Sequence, residues 1–158
     1  MRDRIKWVLL AYRIPREPST PRIAVWRKLR QLGAVNIVDG LVALPSNNST
    51  REQLQWLGEQ VREADGEAWV WDAVLSSAAR ERTLITAMSR EVAGDYRALA
   101  KSARRARDED APARGRAVAR LRREFRRVAA RDYFGAPEKR AATEALDRAA
   151  AAHGSVRA

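Results

Sequence analysis

The chain has 158 residues, 46% of them hydrophobic, and a formal net charge of +11 with a pI near 11.2. Zero cysteines remove disulfides, thiolate metal sites and cysteine nucleophiles, and the single histidine, His153, sits in a small-residue tail, so a His-based metal site or a Ser-His triad is not expected. They also suit a reducing cytoplasm, while the positive charge calls for an acidic partner.

The longest purely apolar stretch near the start, Trp7 to Ala11, is too short for a signal-peptide core or a membrane span, so a cytoplasmic protein with no membrane partner is expected. Residues 76–158 hold 20 of the 31 Lys+Arg but only 11 of the 20 Asp+Glu, which places most of the excess charge in the second half.

In chain order, Ile5 to Ala11 reads as a strand leading into the polar turn Pro15-Arg16-Glu17-Pro18. Ser19 or Thr20 is expected to cap a basic amphipathic helix with Pro21 in its first turn, Val25, Trp26, Leu29 and Leu32 toward the core, and Gly33 as a left-handed C-cap. The unpaired N–H groups of such a helix start favour an oxyanion. Arg16, Ser19, Thr20, Arg22 and Arg27 are therefore an anion-binding candidate, set against the reading that the cap merely ends a loop and Glu17 pairs with an arginine.

Ala34 to Val38 and Leu41 to Leu44 read as two strands joined at Asp39-Gly40 by a type I′ turn. Ser49 or Thr50, with Glu52 or Gln53, is expected to cap a second helix carrying Leu54, Leu57, Val61 and Ala64 on one face. Asp65-Gly66 ends it, and Glu67 to Leu75 supplies a closing strand. Strand, helix, strand, strand, helix, strand is the ferredoxin-like βαββαβ arrangement, an α+β fold spanning residues 1–76.

In that fold both helices cover one sheet face. Apolar residues fall on both sides of the first and last strands, so the second face needs a cover: a second copy of the chain or the C-terminal helices. The aromatic and glycine motif of RNA-recognition sheets is missing. No paired carboxylates, Gly-rich phosphate loop or histidine cluster is present, so no catalytic residue, metal site or cofactor is assigned.

From Ala78 the period becomes helical, with Ile85, Met88, Val92, Tyr96 and Leu99 on one stripe. A break near Asp108 to Pro112 is followed by a second stripe, Val118, Leu121, Phe125 and Val128, and then by an alanine-rich helix from Glu138 to about Ala152 with a tail expected to fray. Residues 77–158 therefore read as a basic helical extension, a hairpin packing on itself or on the open sheet face.

Thirteen basic residues lie between Arg97 and Arg131. Arginine forks suit phosphates, so Arg104, Arg105, Arg107, Arg114, Arg116, Arg120, Arg123 and Arg127 are the nucleic-acid-binding candidates, with duplex DNA as partner. Arg16, Arg22 and Arg27 could add to that surface. The competing reading is a solvated face in an arginine-rich proteome. Six engaged phosphates would make log affinity fall with log salt at a slope of roughly −5.

A wider pattern runs along the chain: Trp7-Val8-Leu9-Leu10 leading to Pro15-Arg16-Glu17-Pro18-Ser19, then Arg22-Ile23-Ala24-Val25-Trp26-Arg27-Lys28-Leu29 and Leu32-Gly33-Ala34. Asp39-Gly40, Leu44-Pro45, Thr50-Arg51-Glu52-Gln53, Trp56-Leu57, Gly66-Glu67-Ala68 and finally Asp132-Tyr133-Phe134 with Pro137 continue it. This set resembles the N-terminal domain of chromate-resistance regulators of the ChrB type. The resemblance implies a bacterial cytoplasmic protein linked to chromate resistance, whose N-terminal domain acts in transcriptional control. Proteins of that type commonly continue into a chromate-response domain, whereas this chain stops at Ala158. Three functions are carried forward: a DNA-binding regulator without catalysis, an interaction module that dimerises or docks a separate chromate-response domain, and a small-oxyanion binder.

Overall fold

In the computed structural model, which describes residues 4–152, the first apolar run forms β1 (Trp7–Arg13). The chain continues as α1 (Ser19–Leu32), β2 (Val35–Val38), β3 (Leu41–Pro45), α2 (Asn48–Glu63), β4 (Glu67–Ala73), α3 (Ala78–Ala106), α4 (Ala111–Ala130) and α5 (Glu138–Ala151). It is an α+β chain with one four-stranded antiparallel sheet and, among the described residues, five helices. His153 and the tail expected to fray lie outside the described residues. No helix among the described residues is long and apolar enough to cross a membrane. Two compact units meet inside α3, Met1–Met88 and Ser89–Ala158.

In the first unit the strands lie in the order β2-β3-β1-β4, so β1 has a neighbour on each side. Leu10 pairs with Val42 of β3 and Val70 of β4, and Val8 pairs with Leu44 and Asp72. Side chains alternate between sheet faces, and the face holding Val8, Leu10, Leu44 and Ala68 is the buried one. α2 lies on it: Arg51 bonds to Asp72, Arg62 Nη1 donates to the Ala68 carbonyl at 2.8 Å, and a Cβ at Gly58 would stand 3.7 Å from the Ala68 methyl. Leu54, Leu57 and Val61 are fully buried, as their 3- and 4-residue spacing predicts.

The opposite face is treated differently along its length. Trp7 is fully buried, and its indole N–H donates to Glu81 at the start of α3 at 3.0 Å. Trp69 and Trp71, beside Ala11 and Leu9, remain 65% and 57% exposed.

Several local expectations need correction. α1 begins at Ser19, one step early, because Pro18 occupies the N-cap in an extended conformation and no side chain caps the helix. Trp26 is 54% exposed, since the core stripe of α1 is Val25 and Leu29 and Trp26 lies a third of a turn away. α2 is capped by Asn47 rather than Ser49 or Thr50: the Asn47 side chain accepts from the Thr50 N–H at 2.8 Å while the Thr50 hydroxyl accepts from the Asn47 N–H at 2.9 Å. The Asp39-Gly40 turn is not type I′. Only Gly40 has positive φ, +76°, and the missing second left-handed residue is matched by an irregularity between Asn36 and Val38. A Cβ at Gly40 would stand 2.5 Å from the Tyr12 carbonyl oxygen, so the close approach itself requires glycine. Gly33 does cap α1 as expected, at φ 72° with its N–H on the Arg30 carbonyl at 3.1 Å.

In the second unit, α3, α4 and α5 share one core built from Val92, Tyr96 and Leu99, from Val118, Leu121 and Val128, and from Ala142, Leu146 and Ala149. The small residues of α5 let its backbone approach closely. Asp110 caps α4 by accepting from the Ala113 N–H at 2.9 Å. Past α4, Asp132 organises the turn: Oδ1 accepts from the N–H groups of Gly135 and Ala136, each at 3.0 Å, and Oδ2 accepts from the Tyr96 hydroxyl at 3.2 Å. Arg131 holds the same corner by donating to Asp95 at 2.6 Å.

Replacing Asp132 with Ala removes an acceptor from two backbone donors and a buried phenol, so it should cost about 2–3 kcal/mol in urea denaturation, against about 1 kcal/mol for Tyr96→Phe. Burial first, then the Asp132 carboxylate and its hydrogen bond, push the Tyr96 pKa up to about 12 against an opposing pull from Arg131. The folded state thus keeps this proton between pH 10 and about 12 while the unfolded chain releases it, and stability falls as pH rises through that window. Melting curves should show a steeper alkaline loss for the wild type than for Tyr96→Phe; parallel curves would contradict this assignment.

Candidate functional site

Two basic surfaces emerge, one in each unit. On α4, Val118, Leu121 and Val128 are turned to the core, which leaves Arg116, Arg120, Arg123 and Arg127, at spacings of 4, 3 and 4, on one exposed stripe. From end to end it runs about 17 Å at 1.5 Å per residue. None of these four lies within 4.0 Å of a carboxylate among the described residues; Glu124 stands four residues after Arg120 and three before Arg127 without pairing with either.

Of the remaining arginines of the dense region, Arg126 is exposed beside the stripe and likewise has no carboxylate within 4.0 Å among the described residues, and the others separate by role. Arg97 pairs with Glu138 at 3.0 Å, Arg122 reaches Asp147 at 4.0 Å, and Arg131 serves the α3–α4 corner. Arg114 is half-buried, donating to the carbonyls of Ala152 at 3.1 Å and Glu109 at 2.7 Å, so its head group ties the start of α4 to neighbouring chain. Arg104 and Arg105 close the last turn of α3, where a cation offsets the negative end of the helix dipole, and Arg107 follows in the turn; all three are exposed.

In the first unit, β1 delivers Tyr12 and Arg13 to a cleft of about 810 Å³, bounded by the turn after β1, one side of α1 and the β2–β3 turn. Arg16, Arg22 and Arg27 line it, joined by Trp26, Ile23 and Asp39. Ser19 and Thr20 occupy the first two positions of α1, exposed, and are not among the lining residues. Arg13 is held by Glu67 across the β1–β4 pair at 3.0 Å, whereas Arg16, Arg22 and Arg27 have no carboxylate within 4.0 Å among the described residues. The floor is fixed by the Tyr12 N–H donating to the Gly40 carbonyl at 2.7 Å. Burial, then Asp39, push the Tyr12 pKa up against an opposing pull from Arg22, so the phenol stays a neutral donor at physiological pH.

Sequence reasoning found the three cleft arginines but assigned Trp26 to the core and Asp39 to turn chemistry alone. The signal for Trp26 was available: Val25 and Leu29 already satisfy the core stripe, and Arg27 and Arg30 flank the indole. The Arg30 guanidinium lies over the Trp26 ring, 5.1 Å from its centroid. No group of three or more His, Cys, Asp or Glu able to hold a metal occurs among the described residues.

Comparison with known proteins covers part of the cleft and stops short of the arginine stripe of α4. Protein ChrB of Cupriavidus metallidurans strain CH34 is 36% identical over 64 residues, which is 40% of this chain and 20% of that protein. The aligned stretch thus spans about a fifth of the length of that relative. No solved structure matches the chain. The family model for the N-terminal part of Protein ChrB matches residues 22–111, more than half of the length, from Arg22 within α1 through the sheet from β2 onward, α2 and α3, and by that match the chain belongs to the ChrB N-terminal family.

Proposed function

We propose that this protein is a non-catalytic, DNA-binding regulator associated with chromate resistance in the bacterial cytoplasm, and that it grips duplex phosphates through the arginine stripe of α4. The observation behind this reading is the set of four exposed guanidinium groups on one helix face with no carboxylate within 4.0 Å among the described residues. Its length of about 17 Å corresponds to roughly five base-pair steps of 3.4 Å. Membership of the ChrB N-terminal family supports the association with chromate resistance. The element order βαββαβ with strands 2-3-1-4 supports reading the first unit as a ferredoxin-like domain, a platform rather than a catalyst.

A second reading has its own observation. Trp69 and Trp71 are exposed on one sheet face, where an interaction module would dock a second copy or a separately folded chromate-response domain.

Arg120, Arg123 and Arg127 replaced together by Ala should weaken binding to all duplex sequences alike, since phosphate contacts position and do not specify. Each lost phosphate contact removes about 0.9 from the slope of log affinity against log salt, so the triple variant should be shallower by about 2.7. Anisotropy titrations with binding that ignores salt, or a variant matching the wild type, would remove the proposal. For the second reading, light scattering on the wild type should show a dimer that Trp71→Lys returns to monomer; a monomeric wild type that also pulls down no chromate-response domain rejects it.

A further inference from the structure

The cleft in the first unit is larger than a single oxyanion would fill. Its volume of about 810 Å³ falls within the roughly 300–1,000 Å³ of pockets that enclose drug-sized or cofactor-sized ligands, whereas a tetrahedral anion would occupy only a corner. Its chemistry is mixed. Arg16, Arg22 and Arg27 offer forks that pair with no carboxylate among the described residues, Trp26 offers a half-exposed indole already overlaid by Arg30, and Asp39 brings an acceptor that a site for bare anions would avoid.

From this juxtaposition we propose that the cleft binds a nucleoside monophosphate: the phosphate on Arg16, Arg22 and Arg27, the base against Trp26, and a ribose hydroxyl or base amino group on Asp39. Stacking on an indole is sequence-tolerant because every base has a π-face, so the ring supplies affinity without dictating which base enters. Tyr12, a neutral phenol beside Asp39, supplies a donor to the sugar or phosphate. The free nucleotide, not a strand of nucleic acid, is the ligand assigned, because an acceptor carboxylate on the wall repels a continuing phosphate backbone. This inference is independent of the DNA-binding reading, since all of its residues lie between Tyr12 and Asp39 and none is on α4.

The test is calorimetry of the full chain with the four ribonucleoside 5′-monophosphates, with adenosine and with inorganic phosphate. At least one monophosphate should bind tenfold or more tighter than either adenosine or inorganic phosphate. Trp26→Ala should cost that nucleotide about tenfold while leaving phosphate affinity within twofold, and Trp26→Phe should restore most of the loss, which also guards against a folding defect. Arg22→Ala and Arg27→Ala should each weaken nucleotide and phosphate together by about tenfold. The Arg120, Arg123 and Arg127 triple variant should bind the nucleotide unchanged. Failure of all four monophosphates to exceed inorganic phosphate, or indifference to Trp26→Ala, overturns the proposal. A 5′-phosphorylated oligonucleotide binding through the same residues more than tenfold tighter than any monophosphate overturns it in favour of a strand end.

Discussion

The placement of β1 between two antiparallel neighbours is the constraint on which the first unit depends. Because β3 and β4 satisfy its backbone on both edges, β1 has no freedom of register: Val8 and Leu10 must enter the helix-covered core, and Tyr12 and Arg13 must emerge at its far end. That end is where the turn to α1 and the β2–β3 turn converge. A slip of one residue would bury Arg13 and expose Leu10, so the core and the cleft are fixed by one register. The bond from the Tyr12 N–H to the Gly40 carbonyl carries the same order into the cleft floor.

Charge is handled in two ways across the second unit. Where an arginine has a task within the fold it is matched: Arg131 to Asp95, Arg97 to Glu138, and Arg114 to two backbone carbonyls. Along the outer stripe of α4 no such matching occurs among the described residues, and the residual field between these guanidinium groups is repulsive. Repulsion of this kind costs stability and is offset only when an external anion is present, which gives a physical reason to connect the stripe with a polyanionic partner. The Asp132 turn has a structural task, for its carboxylate is occupied by two backbone donors and the Tyr96 hydroxyl.

Much of the molecule was legible before the fold was seen, and the errors share a cause. The stripes of α2, α3 and α4 were readable because a helical period of 3.6 needs no knowledge of what lies opposite. Helix caps were misplaced because several adjacent polar residues compete: Asn47, Ser49 and Thr50 can each begin a helix, and the box formed by Asn47 with Thr50 prevails because it satisfies two donors reciprocally. Trp26 reads inward in the sequence because it shares a helical face with Val25, Leu29 and Leu32. Val25 and Leu29 already fill the space beneath α1, and the indole is displaced to the cleft wall.

The sequence by itself determined the order of strands and helices, the location of the excess charge, the lack of cysteine and the presence of a single histidine, because composition and periodicity are local quantities. Only the tertiary structure decided which arginines remain without carboxylates, that Trp26 and Asp39 stand beside Arg16, Arg22 and Arg27, and that Trp69 and Trp71 stay in solvent. Each of those outcomes depends on groups far apart in the chain being brought within a few ångströms, and on competition for core volume that no single segment records.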